Sequence, residues 1–378
     1  MLTMLALATV LVACNIGGGI DYYDYRVTFV YNVGTGENAL KGSTATQYLG
    51  VLANSLISIQ PGYDSTDFPE AAVNGYYLEG WYLPAEVDEN GEPKRDENGF
   101  VILGRKWNFN TGRVNEDITL YGNFAPMLAV RFINIATGEY IEDKIEYRPN
   151  ALILKPSISR EPKLENHTFL KKYYTDINKT AEFNWSNRRI TENIDVYVEF
   201  IDGVWTLVDT VDGFRTAISA GDNIYLQDNL NFDGQTLWDS SDYAGVINGN
   251  GYTISNINRG TVRIGKTQSD YRLDSFGAIF AGLGEKAHIY NINFVNVNVK
   301  YELNSTYQIF DVYLGLLCGK VANGAKLENV SISGSFSYNV IADKYIHVGN
   351  DTNYRGVIGE NRGTDNINNC NFSEVTVA

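Results

Sequence analysis

The densest group of side chains with acid–base potential lies in one stretch, residues 259–274. Paired carboxylates beside basic groups are what cleavage of a glycosidic bond requires, because one group donates a proton while another carries negative charge. The same composition is also typical of an exposed loop whose mixed charges face water, and we favour this second interpretation. The six charged residues of the stretch are Arg259, Arg263, Lys266, Asp270, Arg272 and Asp274.

Histidines and cysteines add little chemistry. His167, His288 and His347 have no nucleophile or carboxylate at a known motif spacing, and no Gly-x-Ser-x-Gly, His-Glu-x-x-His or phosphate loop occurs. No Cys or His pair has the spacing of zinc ligands. Cys318 and Cys370 fall at different positions of the repeat described below, so we expect free thiols rather than a disulfide. We therefore predict no catalytic residue, no cofactor and no metal site.

Two acidic turns lie in the segment 84–105. Residues 88–91 and 96–99 both have the sequence Asp-Glu-Asn-Gly. Asn-Gly is a strong signal for a hairpin turn. The acids offer calcium ligands in principle, but they lack the loop spacing and the closing Glu of an EF-hand. We expect a hairpin that projects into solvent.

The N-terminus is almost wholly apolar from residue 2 to residue 12. A run this short does not cross a bilayer core of about 30 Å as a helix, so we interpret it as the apolar part of a signal peptide. The Leu-Val-Ala-Cys sequence that ends at Cys14 resembles the bacterial lipoprotein signal, although no Lys or Arg precedes the run. That resemblance implies a signal peptide at 1–13, a lipid anchor on Cys14 and a linker at 14–24. An ordinary secretory signal is the alternative.

Composition favours an exported all-β protein. Apolar residues make up 44% of the 378 residues, aromatic residues make up 13%, and Val, Ile, Thr, Tyr and Phe are abundant. The chain has 45 acidic and 30 basic residues, for a net charge of −15. Binding to nucleic acid through phosphate contacts needs a basic stripe, so we exclude nucleic acid as a partner.

Residues 25–125 form one predicted module. An alternating strand at 25–31 is followed by Gly75-Tyr76-Tyr77-Leu78-Glu79-Gly80-Trp81-Tyr82, then by Trp107-Asn108-Phe109, and finally by Ile118-Thr119-Leu120-Tyr121. This series resembles the Listeria–Bacteroides repeat, the B-repeat of internalin-type surface proteins. The resemblance implies a small β-grasp-like module. From the residues alone, we expect Trp81, Tyr82, Trp107 and Phe109 to form a structural aromatic cluster.

Residues 126–201 contain a divergent second copy of this module. Val130-Arg131-Phe132-Ile133 matches the opening strand, Phe183-Asn184-Trp185 matches the Trp-Asn-Phe turn, and residues 193–200 match the closing strand. The Gly-Trp pair of the first copy is missing. The order of the matching segments still predicts a repeated fold.

Residues 202–378 contain a repeat of another kind. An aliphatic-x-Asn-apolar tetrad occurs four times, with its asparagines 35, 38 and 40 residues apart, and a glycine precedes each asparagine by 11 to 14 residues. A period of this size indicates stacked repeats. We expect stacked asparagines to hydrogen-bond at chain corners and glycines to permit close backbone approach. The two predicted columns are Asn256, Asn291, Asn329 and Asn369, and Gly245, Gly277, Gly315 and Gly356.

The string Gly249-Asn250-Gly251-Tyr252-Thr253-Ile254-Ser255-Asn256-Ile257, with the Gly-rich strings at 277–282 and 315–319, resembles the GLUG-type repeat of bacterial adhesins and large surface proteases. The resemblance implies a right-handed parallel β-helix (a solenoid), and a leucine-rich horseshoe is the alternative. We predict one short helix at 212–219, capped by Asp212, over the first coil. No polar cap follows residue 370, so we expect the repeats to continue beyond Ala378.

Together these features predict a lipid-anchored protein on the outer face of the cell envelope. It would be non-catalytic, with two stalk modules that present a β-helix for adhesion or for binding a glycan or a host extracellular protein. The alternative is a β-helix enzyme that cleaves polysaccharides, a polysaccharide lyase or glycosidase, through the charged stretch at 259–274.

Overall fold

Strands make up nearly all of the regular structure, which confirms the predicted all-β class. The computed structural model describes residues 23–43, 46–58, 72–237, 242–264, 274–303, 312–340, 346–347, 354, 356–363 and 366–378. The predicted signal peptide and Cys14 lie outside these residues. No helix within the described ranges is long and apolar enough to cross a membrane. The chain divides into two compact units, Met1–Pro162 with Tyr173–Tyr197, and Lys163–Lys172 with Val198–Ala378.

Nine strands and a short 3-10 helix (Gly36–Asn38) belong to the described part of the first module. The strands are β1 (Tyr25–Tyr31), β2 (Gly42–Ser43), β3 (Gln47–Val51), β4 (Ser55–Leu56), β5 (Ala72–Val73), β6 (Tyr76–Pro84), β7 (Leu103–Lys106), β8 (Arg113–Val114) and β9 (Ile118–Pro126). Five of them form a sheet of order β3-β1-β9-β6-β7, in which β1 and β9 are parallel and the other neighbours are antiparallel. Two short antiparallel pairs, β2–β5 and β4–β8, complete the module.

The aromatic residues of the first module form its core. Trp81 is fully buried, and its ring lies edge-on to Phe29 with the ring centroids 4.9 Å apart. Trp107 is 8% exposed and packs in the same cluster, with Phe109 partly buried against it. Tyr82 is half-buried. The predicted aromatic cluster therefore has a packing role, in which each large ring removes much apolar area from water.

The second module repeats the strand order of the first. Its strands are β10 (Leu128–Asn134), β11 (Tyr140–Tyr147), β12 (His167–Tyr174) and β13 (Ile194–Asp202), with a 3-10 helix at Ile158–Arg160. They form a sheet of order β11-β10-β13-β12, which matches β3-β1-β9-β6. Equivalent hydrogen bonds recur: Trp107 N to Trp81 O and Phe183 N to Tyr173 O, both 2.8 Å, and Arg113 Nη1 to Asn54 O at 2.7 Å and Arg189 Nη1 to Asn150 O at 2.6 Å.

The acidic turns of the first module use their Asp side chains to close the backbone. In both turns, one carboxylate oxygen accepts the N–H groups two and four residues later, at 2.8 to 2.9 Å. Isolated antiparallel bridges Val87–Pro93 and Arg95–Val101 flank the turns. Across the described parts of the chain, no three His, Cys, Asp or Glu side chains gather as a metal site.

Within the residues that the structure describes, the second unit contains one α-helix, α1 (Val211–Ala220), and seventeen strands, apart from the portions of β12 and β13 that belong to it. The strands are β14 (Thr206–Val208), β15 (Ile224–Leu226), β16 (Leu230–Asn231), β17 (Asp242–Tyr243), β18 (Val246–Asn248), β19 (Thr253–Ser255), β20 (Asn258–Ile264), β21 (Asp274–Gly277), β22 (Phe280–Leu283), β23 (His288–Leu303), β24 (Val312–Gly315), β25 (Cys318–Val321), β26 (Lys326–Val340), β27 (Ile346–His347), β28 (Ile358–Asn361), β29 (Ile367–Asn368) and β30 (Asn371–Val377).

Helix α1 agrees with the predicted helix except at its cap. Thr210 is the N-cap: its backbone is extended, and its side-chain oxygen accepts a hydrogen bond from Gly213 N at 3.2 Å. The expectation that Asp212 caps the helix is wrong, because the helix begins one residue before it. Phe214, Ala217 and Ile218 are buried, as their shared face predicts.

Strands about 40 residues apart pair in parallel and in register. The largest sheet has ten strands, including β18, β19, β20, β23, β26, β29 and β30. A second sheet has the order β17-β22-β25-β28, and a third has the order β21-β24-β27. Like residues therefore stack on like residues in the core. One buried row is Ile224, Ile247, Ile289 and Leu327, continued by the partly buried Ile367.

Only two of the four predicted column glycines lie opposite each other. Gly277 pairs with Gly315 on β21 and β24. The carbonyl oxygen of Gly356 accepts the N–H of Leu316, just as that of Leu316 accepts the N–H of Ala278. Gly356 therefore lies beside Leu316, one residue beyond the position opposite Gly315. Gly245 precedes β18, whose Val246 pairs with His288, so it also lies outside the column. The prediction of a single column of four glycines is therefore wrong, and only Gly277 and Gly315 align.

Close backbone approach explains why Gly277 and Gly315 lack side chains. A Cβ atom on Gly315 would lie 2.5 Å from the carbonyl oxygen of Val357 and closer still to that of Cys318. Both obstacles are backbone atoms, which do not rotate away. The neighbouring strands can pack at this distance only because the position is glycine.

We predict that Gly315→Ala lowers the free energy of unfolding by about 3 kcal/mol, because the added methyl group overpacks the backbone. Gly251→Ala is the control: its Cβ meets nothing within 4 Å, and it changes only a residue with φ of +81°. That change should cost about 1–2 kcal/mol. Urea unfolding of both variants measures the difference. Equal losses would contradict the close-approach explanation.

Candidate ligand-binding face

Three of the predicted asparagines form a hydrogen-bonded ladder at one corner of the repeats. Asn329 Nδ2 donates to Asn291 Oδ1 at 2.9 Å, and Asn369 Nδ2 donates to Asn329 Oδ1 at 2.5 Å. All three residues have φ between 51° and 53°, in the left-handed region that Asn tolerates better than most residues. Each asparagine therefore tolerates the left-handed backbone at the corner, and its side chain hydrogen-bonds to the equivalent asparagine on the neighbouring strand.

Asn256 belongs to a second ladder at the next corner. It donates to Asn231 Oδ1 at 2.9 Å and accepts a hydrogen bond from Asn296 Nδ2 at 2.6 Å. Its partner in the following repeat is Asn296 rather than Asn291, because β19 pairs Ser255 with Val295. The predicted alignment of Asn256 with Asn291 is therefore wrong. Asn296 is the corner residue that the spacing of the tetrads missed.

We predict that Asn329→Ala destabilises the protein by about 2–3 kcal/mol. It removes two amide hydrogen bonds worth about 1 kcal/mol each and leaves a β-carbon at φ of 52°. Asn329→Gly removes the same bonds, but glycine adopts the positive φ without strain. Its loss of unfolding free energy should therefore be about 1 kcal/mol smaller. Chemical denaturation compares the two variants. A glycine variant as unstable as the alanine variant would show that the positive φ is not part of the role of Asn329.

A row of half-exposed side chains runs across the outer face of the first strand of each repeat. We call Tyr225, Asn248, Tyr290 and Glu328 the tyrosine row; they are successive partners in register. Their chain neighbours Ile224, Ile247, Ile289 and Leu327 point into the core, so the row faces away from it. Four residues far apart in sequence therefore meet on one surface.

Two further rings extend this surface. The ring of Trp205 lies edge-on to Tyr225, with the centroids 6.2 Å apart, and that of His288 lies 4.6 Å from Tyr290. His288 Nε2 is buried and lies 3.4 Å from a carboxylate oxygen of Glu328. The surface thus combines apolar ring area with the amide of Asn248 and the carboxylate of Glu328.

Electrostatics keep the tyrosines of the row neutral at ordinary pH. Burial is the main cause that raises the pKa of Tyr225, and the carboxylate of Glu199 adds to it. Burial likewise raises the pKa of Tyr290, against a smaller opposing effect of its hydrogen bond with Asn248. A neutral phenol is both a donor and an acceptor, which suits hydroxyl groups of a ligand.

The charged stretch at 259–274 does not assemble an acid pair among the residues that the structure describes. Lys266, Asp270 and Arg272 lie outside them, as does the side chain of Asp274. Arg259 donates a hydrogen bond to the carbonyl oxygen of Gly277, and burial lowers its pKa to about 10. Its contacts with Gly277 and Tyr301 and its burial place it within the fold.

Arg263 lies on the outer face of β20, where its Nε is 3.3 Å from a carboxylate oxygen of Glu302. Lys300 Nζ lies 2.8 Å from the other oxygen of the same carboxylate. The three side chains form an exposed ion cluster across β20 and β23. Exposed ion pairs of this kind are typical of a solvated face, and each contributes little to stability.

The remaining candidates are dispersed. Cys318 and Cys370 are both free, as predicted, and burial raises the pKa of each thiol. Cys370 is half-buried rather than fully buried. His167 lies 2.9 Å from the carboxylate of Asp202 at the second module. The side chain of His347 lies outside the described structure.

Comparisons with protein-family models, curated proteins and solved structures give no match.

Proposed function

We propose that the chain is a lipid-anchored bacterial surface protein that binds a ligand without catalysis. In this proposal, Cys14 carries the lipid, B-repeat-like modules of the β-grasp type at 25–125 and 126–201 form a stalk, and residues 202–378 form a right-handed parallel β-helix. The ligand is a glycan or a host extracellular protein. The observation that carries the binding role is the tyrosine row, which collects aromatic, amide and carboxylate groups on one face.

Register supports the β-helix part of the proposal. Parallel pairing of strands about 40 residues apart, with aliphatic rows inside and amide ladders at corners, is what stacked coils require. The buried aliphatic residues each contribute about 1.5–3 kcal/mol. Because each repeat covers the one before it, such a stack holds an outer face rigid over several repeats.

Shared local geometry supports the paired stalk modules. In both modules, the asparagine of the aromatic turn accepts the backbone N–H two residues later. Asn108 Oδ1 accepts from Asn110 N at 2.9 Å, and Asn184 Oδ1 accepts from Ser186 N at 2.8 Å. This turn places an aromatic residue on each side of the asparagine. The second copy thus keeps the turn although it lacks the Gly-Trp pair.

The chemistry of the tyrosine row supports a glycan or a polar protein surface as the ligand. A sugar ring has an apolar face and a hydroxyl edge, and it is complementary to aromatic rings beside amides and carboxylates. The net charge of −15 disfavours polyanions.

We predict that growth in a bacterial host with a fatty-acid analogue labels the protein through Cys14. The modification needs the cysteine thiol, so Cys14→Ser should be unlabelled and released from the membrane fraction. Detection of the analogue on the purified wild-type and Cys14→Ser proteins measures whether each chain is lipidated. A freely secreted, unlabelled wild-type chain would contradict lipid anchoring.

We predict that Tyr290→Ala weakens the binding of a ligand found on a glycan array or a matrix-protein panel by about tenfold or more, as expected for a central aromatic contact. Tyr48→Ala is the control, since Tyr48 is 58% exposed and belongs to the first module. Surface plasmon resonance gives both affinities. Unchanged binding by the Tyr290 variant, or cleavage of a polysaccharide by the wild-type chain, would overturn the proposal.

A further inference from the structure

A second polar surface lies at the corner that the Asn231–Asn256–Asn296 ladder forms. It is a groove with a volume of about 320 Å³, and it is separate from the tyrosine row, which belongs to the preceding strand of each repeat. We call it the amide groove. Its lining residues are Asp233, Gly234, Asn256, Asn258, Asn296 and Asn298.

The backbone of the amide groove is held in place by the corner itself. Asp233, Asn256 and Asn296 have φ of 50°, 59° and 57°. Gly234 N donates to the carbonyl oxygen of Asn256 at 2.9 Å, and Asn258 N donates to that of Gln235 at 3.1 Å. The floor of the groove is therefore set by main-chain bonds between successive repeats. A ligand would meet a preorganised surface, which reduces the entropy lost on binding.

Side-chain hydrogen bonds orient the amides and leave part of their capacity unused. Asn298 Nδ2 donates to Asn296 Oδ1 at 2.8 Å, and Asn298 Oδ1 accepts the Ser335 hydroxyl at 2.6 Å. Each amide has two N–H groups and two lone pairs. Asn298 uses its capacity within the structure, because its Oδ1 also accepts Ser335 N at 3.1 Å and its Nδ2 also donates to Asn296 O at 3.3 Å. Asn256 and Asn296 each use one N–H group and one lone pair in the ladder, which leaves one of each for a ligand. Orientation is fixed because a flip would break the ladder.

Among the described residues that line the groove, Asp233 provides the one charged group. Its backbone N–H donates to Asn231 Oδ1 at 2.9 Å, and no described group hydrogen-bonds its exposed carboxylate. A carboxylate accepts hydrogen bonds only, and those it accepts from hydroxyls are stronger than neutral ones. An anionic ligand would be repelled. The groove therefore fits a group that donates to a carboxylate and exchanges hydrogen bonds with amides.

A divalent cation fits the groove less well than a sugar does. The side-chain oxygens of Asn256, Asn296 and Asn298 each accept a hydrogen bond within the structure. Calcium takes six to eight oxygen ligands, so it would compete with these bonds and find one carboxylate. A neutral sugar has hydroxyls that both donate and accept, and it uses the remaining capacity without breaking the ladder.

We propose that the amide groove is a subsite for one neutral, hydroxyl-bearing sugar unit, in which Asp233 and the amides of Asn258 and Asn296 bind its hydroxyls. The volume lies at the lower end of the range for small-ligand pockets, about 300–1,000 Å³, which suits a single ring. The inference rests on the proposed ligand-binding function and gives it a chemical class. The larger cavity under the hairpin of the first module, about 670 Å³, is a weaker candidate because its buried amide, Asn32, already pairs with the Val101 backbone.

The test uses the full chain and a panel of neutral sugars: glucose, galactose, mannose and N-acetylglucosamine, each by saturation-transfer NMR and then by titration calorimetry. We expect at least one sugar to bind with a Kd of about 1 mM, as the size of the ligand allows. Asp233→Asn should weaken binding by about tenfold or more, because it removes charge-assisted hydrogen bonds. Asp228→Asn removes one charge on an exposed turn outside the groove and should change nothing.

A matched pair of ladder variants separates binding from folding. Asn296→Gly and Asn329→Gly each remove one ladder amide at a positive φ, and only Asn296 lines the groove. Both should lower the thermal midpoint by similar amounts, while only Asn296→Gly should weaken sugar binding. Equal affinities in the two variants would overturn the subsite.

Other outcomes identify which proposal fails. Binding of calcium chloride alone, lost in Asp233→Asn, together with no sugar binding would make the groove a cation site and overturn the sugar subsite. Sugar binding lost in Tyr290→Ala but kept in both groove variants would overturn the subsite and leave the proposed function standing. Sugar binding in the groove by a chain that is not lipid-anchored would keep the subsite and refute the surface role.

Discussion

The second unit depends on one constraint: strands about 40 residues apart in sequence pair in parallel, so that each residue lies beside a fixed partner on the next strand. β23 pairs with β18, β19 and β20 on one edge and with β26 on the other. Register fixes which side chains meet, because a slip of one residue would move every core side chain to the outer face. The buried rows, the corner amides and the close glycine pair all follow from that single alignment.

Two kinds of surface result from this register. On the straight strands, alternation points every second residue outward, so Tyr225, Asn248, Tyr290 and Glu328 form a row. At the corners, positive φ favours asparagine, and the amides stack into ladders. The corner asparagines, which the positive φ favours, thereby present ordered hydrogen-bonding groups on the surface. In the proposed β-helix, side chains with a structural role would also serve the proposed binding.

Much of this arrangement is predictable from local pattern. Residue types and spacing predict the strand-rich structure, the helix at 211–220, the buried tryptophans and the ladder from Asn291 to Asn369. They do not predict the alignment of Asn256. Five residue steps separate Asn248 from Thr253, whereas three separate their partners Tyr290 and Asn293. This two-residue insertion is smaller than the offset of the tetrad: Asn256 aligns with Asn296, five residues beyond Asn291, because its tetrad lies at the next corner. The similar motif spacing conceals this difference.

The alignment of the glycines is also not predictable from local sequence, because it depends on how distant strands pair. Gly245 and Gly356 match the spacing of the paired glycines, yet repeat length varies between the strands that carry them. Which glycine meets a carbonyl depends on the register of three strands, and no local signal encodes it. The tyrosine row and the amide groove are likewise not apparent from the sequence, because they combine segments 22 to 42 residues apart that become neighbours only when the strands pair. The second unit rests on this register, and disulfide trapping tests the register most directly. In a Cys370→Ser background, Ser255→Cys with Val295→Cys should form a disulfide under mild oxidation, since directly paired strands lie about 4.8 Å apart. Ser255→Cys with Tyr290→Cys, the pair expected from motif spacing alone, should stay reduced. Mass spectrometry that finds the second cross-link and not the first would contradict the register.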